Sequence, residues 1–356
     1  MKNHSPDFNR IETTLHHQEP DRVPLVEMLV DYPIMSQYLG REITDDDVAG
    51  QVEFWTEAGY DFVPLTVGIM RPGGITKDSQ ISKVIENYFL NNGPEKDDAW
   101  NIWAKPRIHT ESDLETFPWN ALANINVDHF YEAQEYLPAG MKIMALSGKI
   151  FTSSWMLMGF ENLCLNLGQK PAFVQHVMDS VARIQLLGLK RIAEIPSVAG
   201  VWAVDDLAFG SGPILNPATY RKYLFPWYEE FGHVCRQNDL YFFFHTDGVI
   251  WEILEDLIGL GIDAIHPIDP TCLHIEEVKE KVCGRVAVIG NISNQILEEG
   301  TPEEVSSLVK HRLKSIAPGG GYLLGSGNTV PDWAKIENYR AMVGTCHQFG
   351  HYPITM

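Results

Sequence analysis

The chain has 356 residues, of which 45% are hydrophobic and 21% are charged, values that suit a globular protein with a large buried core. Its formal net charge at pH 7 is −20, which argues against binding to nucleic acids or to anionic membranes, because both are polyanions. We expect one domain over residues 1–356, since a single α/β barrel commonly reaches this length.

The sequence predicts a cytoplasmic protein. Its first residues, MKNHSPDFNR, contain no apolar core of the kind found in a secretory signal. No stretch approaches the roughly 20 apolar residues that a membrane span needs. The five cysteines are odd in number and form no Cys-x-x-Cys pair, which is typical of free thiols in a reducing compartment.

Eight short apolar segments are predicted to be strands, and amphipathic segments of helical length separate them. Most of the apolar segments do not alternate with polar residues, which is typical of parallel strands that are buried on both faces. In chain order they are 24–28, 62–67, 143–146, 200–204, 240–245, 264–268, 285–289 and 322–324. Strands that alternate with helices in this way predict an α/β protein with a (β/α)₈ (TIM) barrel and an N-terminal helical extension.

Two of the predicted helices have clear starts. Asn216 and Pro217 indicate a cap followed by a first turn. Thr301 is followed by proline and then by two glutamates, which the dipole of a helix favours in its first turn.

Residues 71 to about 139 interrupt the alternation of strands and helices. This segment is polar and only weakly periodic, so we interpret it as a long insertion after the second strand that lies over the barrel mouth. Loops of this length are usually either lids or disordered. The aromatic residues Trp100, Trp103, Phe117 and Trp119 favour an ordered, packed lid.

Ionisable side chains collect at the predicted carboxyl ends of the strands, where barrel enzymes place their chemistry. His245 and Asp247 end the fifth strand and point to the same side, since side chains alternate along an extended chain. Asp206 and His266 end the two neighbouring strands. Two imidazoles and two carboxylates that converge there predict a Zn²⁺ site with an open position for substrate; the alternative is that each is a hydrogen-bonded structural residue.

Two further acidic positions need a choice. Only one of Asp205 and Asp206 can face the interior, and we expect the other to cap the following helix or loop. Glu230 has a spacing to His245 and His266 that resembles a metal-binding pattern. Because Glu230 lies well inside a predicted helix, a solvent-exposed position is favoured for it.

Aromatic residues also fall near the predicted mouth. Tyr32, Trp202 and Phe209 follow or end predicted strands, and packing in the core is the alternative role for them. An aromatic lining suits an apolar ring better than a polycarboxylate.

Several motifs together resemble the uroporphyrinogen decarboxylase superfamily, and they cover the chain from about residue 10 to its C-terminus. The resemblance implies a (β/α)₈ barrel. The motifs are HQEPDRVP before the first strand, GFENL after the third, VDDLAFGSGPILNPATYRKYLFPWY around the fourth, HTDGVIWEILEDLIGLGIDAIHPID, and LLGSGNTVPDWAKIENYRAM.

This superfamily contains decarboxylases and corrinoid-dependent methyltransferases. The decarboxylases carry an arginine-rich segment after the first strand, whereas VEMLVDYPIMSQYLG contains no arginine here, so an octa-anionic substrate would be repelled. The thiol-methylating members bind zinc through His-x-Cys and a distant Cys. This chain has His245-x-Asp247 and, near the distant position, Ser326, which argues against methylcobalamin:thiol transfer but not against a metal.

The resemblance therefore implies a zinc-dependent methyltransferase (EC 2.1.1 type) that acts in O-demethylation. It would move a methyl group from a small methoxylated, aromatic substrate to cobalamin on a partner corrinoid protein. The alternatives are a decarboxylase of a tetrapyrrole, a methylcobalamin:thiol methyltransferase and a non-catalytic binding protein. The implied site consists of His245 and His266 as zinc ligands, Asp206 or Asp247 as an oxygen ligand or proton carrier, Tyr32, Trp202 and Phe209 around the ring, and Glu27 and Asn328 as polar contacts to the substrate.

Overall fold

A computed structural model describes residues 5–69 and 106–355. Seven strands form one parallel sheet in the order β1-β2-β3-β6-β7-β8-β9, and β4 and β5 form a separate antiparallel pair. The strands are β1 Phe62–Thr66, β2 Lys142–Ser147, β3 Val198–Val204, β4 Ala208–Phe209, β5 Gly212–Pro213, β6 Tyr241–His245, β7 Ala264–His266, β8 Ala287–Ile289 and β9 Tyr322–Leu323.

Seven of the eight predicted strands are present, and the first one differs. Residues 24–28 form one isolated parallel bridge instead of a strand, between Leu25 and Leu324. The backbone N–H of Val26 donates to the carbonyl of Leu324 at 2.9 Å. Pro24 has no N–H to give to a ladder, which helps to keep this pairing short. The segment nevertheless lies alongside β9, where the first strand of a barrel would pair.

Helices connect the strands. They are α1 Asn9–Leu15, α2 Tyr32–Leu39, α3 Val48–Glu57, α4 Glu111–Thr116, α5 Trp119–Leu122, α6 Asp128–Tyr136, α7 Ile150–Met158, α8 Phe160–Gln169, α9 Pro171–Ile192, α10 Pro217–Tyr223, α11 Phe225–Gln237, α12 Leu254–Gly259, α13 Ile275–Val282, α14 Asn294–Glu299, α15 Pro302–Ile316 and α16 Ile336–Phe349. α1 precedes residues 24–28, whereas α2 and α3 lie between that segment and β1.

The predicted helix starts are also confirmed. The side chain of Asn216 accepts a hydrogen bond from the N–H of Ala218 at 2.9 Å, which caps α10. Thr301 and Glu304 form a capping box on α15, in which each side chain accepts from the other residue's N–H. Such reciprocal pairs satisfy donors that the helix itself leaves free.

The described part of the insertion is helical. Residues 106–139 contain α4, α5 and α6, and α6 packs against α3 while α5 packs against α9. Phe117 is buried, and the indole N–H of Trp119 donates to the carbonyl of Leu114 at 3.0 Å. This part therefore packs on the outer helices. Trp100 and Trp103 lie outside the described residues.

The sheet separates two buried layers. Phe242 and Phe244 of β6 pack in the outer layer against the helices, whereas Phe243 points into the inner layer. The inner layer receives side chains from 24–28 and from all seven strands of the sheet. Its members from these segments are Val26, Met28, Phe62, Met144, Leu146, Trp202, Val204, Phe243, Ala264, Ala287, Ile289 and Leu323.

All five cysteines are free thiols, as predicted. Within 5–69 and 106–355, none of the helices combines the length and the apolar character that crossing a membrane requires.

Candidate metal centre

Three ionisable residues meet at the carboxyl ends of β3 and β6. Val204 and His245 are paired in register, so Asp206, two residues beyond the end of β3, lies next to the last residue of β6. The Nε2 atom of His245 is 3.3 Å from Oδ1 of Asp206. Asp206, His245 and Asp247 each offer one ligand atom, and these atoms all lie within 4.8 Å of one another.

Asp206 faces two environments. Its side chain is 46% exposed, yet its Oδ1 atom is buried and has no hydrogen-bond partner of good geometry. The carboxylate thus points one oxygen at His245 and leaves the rest open to solvent. Burial acts to raise the pKa of Asp206, but the interaction with His245 and the positive charge of Lys149 are stronger and lower it. Asp206 is therefore a carboxylate that is available to a cation.

Burial and charge act in opposite directions on the other two members of the group. His245 is almost fully buried; burial alone would lower its pKa, but the carboxylates of Asp206 and Asp247 raise it. Burial and the neighbouring carboxylates raise the pKa of Asp247 to about 6. The Nδ2 amide of Asn328 donates to Oδ2 of Asp247 at 2.7 Å. Asn328 thus contacts the site through Asp247.

Asp205 and Asp206 divide as expected, with only Asp206 at the site. The two oxygens of Asp205 accept hydrogen bonds from the N–H groups of Phe151 and Thr152, each at 2.7 Å. The hydroxyl of Tyr228 donates to the same carboxylate at 2.7 Å. Asp205 therefore caps α7, which precedes it in the chain instead of following it, and burial raises its pKa to about 6.

His266 lies behind His245 and not beside the other ligand atoms. Its Nδ1 atom is 2.8 Å from Nδ1 of His245, on the side of that ring away from Asp206. The His266 ring is fully buried and meets the ring of Trp202 nearly at right angles, 4.9 Å between centroids. Burial and the charge of His245 lower the pKa of His266 well below its ordinary value. The structure does not bring His266 to the group of Asp206, His245 and Asp247.

The three predicted pocket aromatics lie in three different environments. Trp202 is fully buried in the inner layer and packs against Phe243, 5.5 Å between ring centroids. Phe209 is 58% exposed on the β4–β5 hairpin. Its carbonyl accepts from the N–H of Val249 at 2.8 Å, which holds the hairpin against the loop after β6. Tyr32 is partly buried and donates to Asp45 at 2.7 Å.

Glu27 is fully buried, and both of its carboxyl oxygens already accept hydrogen bonds from Ser326. Its carboxyl group accepts from the N–H of Ser326 at 2.6 Å and from the Ser326 hydroxyl at 2.7 Å. Burial raises the pKa of Glu27 to about 8. These contacts tie the end of segment 24–28 to the chain after β9, and they leave Glu27 without exposure to solvent.

Glu230 has the solvent-exposed position predicted for it. It lies on α11, its side chain is about half exposed, and its carboxylate is 3.9 Å from the ammonium group of Lys190.

Two residues with a role near the site had little signal in the sequence. Lys149 follows β2 and acts electrostatically on both Asp206 and His245; its place after a strand end was its one visible signal. Tyr228 supports Asp205 from α11, 23 residues away in the chain, and its position in a helix marks it only as a core residue.

The donor set fits a divalent metal. One imidazole nitrogen and two carboxylates, one of them with a buried oxygen that has no partner, match the nitrogen and oxygen ligands that Zn²⁺ accepts at catalytic sites with an open position.

A parallel α/β sheet with ionisable residues at the carboxyl ends of its strands is typical of α/β enzyme scaffolds, including barrels and open sheets. Within this class, residues 102–349 match the model of the family described as Uroporphyrinogen decarboxylase (URO-D), and the chain belongs to that family. The superfamily resemblance is thereby confirmed.

Solved structures extend the comparison. The fold is similar to that of a methyltransferase from Methanosarcina mazei, with a TM-score of 0.69 and 15% identity over 96% of this chain and 98% of the other. A sugar phosphate isomerase/epimerase from Parabacteroides distasonis aligns over 93% and 98% of the two chains at 10% identity, but its TM-score of 0.42 supports no conclusion. Curated proteins provide no match.

Proposed function

We propose that this protein is a cytoplasmic, zinc-dependent methyltransferase that uses a corrinoid. It would take a methyl group from a small methoxylated, aromatic substrate and pass it to the cobalt of cobalamin on a partner corrinoid protein. The observation that carries the proposal is the group of Asp206, His245 and Asp247 at the carboxyl ends of adjacent strands. The fold shared with the Methanosarcina mazei methyltransferase is consistent with it.

His245, Asp206 and Asp247 would hold the metal. A zinc ion bound there would supply a Lewis acid for the ether oxygen, which must leave as a phenolate when the methyl group is removed. Oxygen and imidazole ligands leave the ion a stronger acid than thiolates do, which suits a poor leaving group.

The protein's own groups would perform the remaining work. Asn328 fixes the orientation of Asp247 through a 2.7 Å hydrogen bond. If one of Asp206 and Asp247 does not bind the metal, its carboxyl group would hold a proton for the departing oxygen. The half-exposed side chain of Asp206 and the exposed Phe209 on its hairpin are consistent with an open mouth, which docking of a cobalamin carrier would require.

We also propose that the whole chain is one domain whose sheet closes into a (β/α)₈ barrel. Support comes from the inner layer, where Val26 and Met28 share one cluster with Phe62 of β1 and Leu323 of β9. Side chains of the first and last strands would share an interior cluster of this kind if segment 24–28 stood between them.

The test combines the purified protein, zinc, free cob(I)alamin and a panel of methoxyphenols. We expect methylation of cobalt, followed by absorbance, and its loss on treatment with a chelator. Absence of methylation across O-, N- and S-methyl donors would remove the proposal, and so would full activity of His245→Ala.

A decarboxylase is the second candidate, because the family model carries that description. The described acidic residues at the mouth, Asp206 and Asp247 among them, would repel a polycarboxylate. Release of CO₂ from uroporphyrinogen by the zinc-free protein would establish this candidate in place of the first.

A further inference from the structure

The two histidines at the ends of β6 and β7 form a pair that shares one proton. Their Nδ1 atoms are 2.8 Å apart, which is a hydrogen-bond distance. Two lone pairs at this distance would repel each other, and two hydrogens would clash, so one ring donates and the other accepts. Whichever ring donates determines what its second nitrogen can do.

The position of that proton decides whether His245 can bind a metal. If Nδ1 of His245 carries the proton, its Nε2 lone pair is free to bind a cation that Asp206 Oδ1, 3.3 Å away, would also bind. If His266 donates instead, a neutral His245 must carry its proton on Nε2. That proton would then occupy the ligand position.

We infer that His266 is a positioning residue that accepts the Nδ1–H of His245 and so presents the Nε2 atom of His245 to the metal. This inference rests on the proposed metal-dependent function and assigns His266 a role other than ligand. A metal-bound histidine usually donates its second N–H to a carboxylate, a carbonyl or a water; here an imidazole takes that place.

Packing prevents His266 from reaching the metal itself. Strand register pairs His245 with His266, and the His266 ring is fully buried against Trp202 at 4.9 Å. To offer a nitrogen on the Nε2 side of His245, the ring would have to leave this contact and pass the neighbouring imidazole.

The second ring nitrogen of His266 does not fix the tautomer of the ring. The Nε2 atom of His266 is buried, and no hydrogen-bond partner for it exists in the described part of the chain. Because no described protein group fixes whether this Nε2 atom carries a proton, the tautomer of His266 would be set by its contact with His245 and by the metal that His245 binds.

The first experiment uses metal-free protein labelled with ¹⁵N-histidine. His245 and His266 are assigned by comparing wild type with His245→Gln and His266→Phe, and long-range ¹H–¹⁵N spectra report which nitrogen carries each proton. We expect a proton on Nδ1 of His245 that points to His266, and a second proton on Nε2 toward Asp206 would be consistent with the inference. A neutral His245 with its proton on Nε2 in the wild type would overturn the inference, whether or not the protein binds zinc.

The second experiment measures zinc affinity by competition with a chromophoric chelator. We expect His266→Phe to weaken binding by about 10- to 100-fold without changing the stoichiometry. His266→Asn retains an oxygen acceptor and should recover most of that loss. Equal losses in both variants would reduce His266 to a packing residue, and loss of the bound zinc from both would make it a ligand. Absence of zinc from the wild type would contradict the proposed function. The spectra would still show which nitrogen of His245 carries the proton and so would test the inference separately.

Discussion

Asp61 and Asp206 are acidic residues at opposite ends of the same parallel sheet. Asp61 directly precedes β1, is fully buried, and contacts Arg10 at 2.7 Å and Arg22 at 3.7 Å. Asp206 follows β3, is half exposed, and contacts only His245 among the ion pairs of the described chain. One carboxylate contacts two arginines, whereas the other faces an imidazole and a second acid and is also influenced by the charge of Lys149.

This difference indicates that the acid at the amino end of the sheet has a structural role, whereas the acids at the carboxyl end suit a chemical one. At the amino end Asp61 is paired with Arg10 and Arg22, so removing one partner would leave a buried charge without compensation. At the carboxyl end Asp206 and Asp247 lie close together with one imidazole between two acids. The charge of Asp206 helps to raise the pKa of Asp247, and a bound cation would relieve this repulsion; carboxylates perturbed in this way cluster at functional sites.

The largest effect is expected from Asp206→Asn. Removing this charge should lower corrinoid methylation on the order of 10²- to 10⁴-fold, while the free energy of unfolding falls only slightly, because the contact with His245 is lost but a repulsion with Asp247 also disappears. Activity assays and urea unfolding measure the two quantities. Glu230→Gln is the matched control, since this exposed acid pairs only with Lys190 at 3.9 Å and should change neither. Activity of Asp206→Asn within threefold of wild type would contradict the contrast between the two ends.

At the amino end of the sheet, Asp61→Asn should lower the free energy of unfolding and leave the activity of the folded protein unchanged. It leaves Arg10 and Arg22 without their buried partner, which we expect to cost about 3–5 kcal/mol of unfolding free energy, while the folded fraction keeps its activity. Asp21→Asn is the control, because Asp21 pairs with Arg10 but is 57% exposed and should cost less than about 1 kcal/mol. If the two variants unfold at the same urea concentration, the amino end does not depend on its buried pair.

Glu27 gives an effect that is small per pH unit, and it sharpens the comparison because it lies near the carboxyl end but is buried away from solvent. Burial raises its pKa from 4.5 to about 8, so the folded protein holds a proton that the unfolded chain releases. This contribution to stability is fully present below pH 4.5 and is lost as the pH rises through about 8.

We therefore predict a pH-dependent difference between wild type and Glu27→Gln. Between about pH 5 and pH 8 the wild type should lose up to about 1.4 kcal/mol of unfolding free energy per pH unit relative to the variant. Urea unfolding of both proteins across this range measures the difference. Parallel curves would mean that Glu27 is ionised in the folded protein.

The sequence alone was sufficient for seven of the eight predicted strands and for part of the site. The apolar runs at 200–204 and 240–245 match β3 and β6 within two residues, because burial of a strand on both faces leaves a local pattern. The His245-x-Asp247 spacing predicted two side chains on one side of a strand end, since extended chains alternate with period two. The helix caps at Asn216 and Thr301 are equally local.

Only the tertiary structure decided which side chains meet. His266 lies behind His245 because Trp202 fixes its ring, and Asp205 turns away from the site because α7 and Tyr228 bind it. Asp61 depends on arginines 39 and 51 residues earlier in the chain. In each case the orientation follows from neighbours remote in sequence, and a local pattern can place a residue at a strand end but cannot say which atoms it will face.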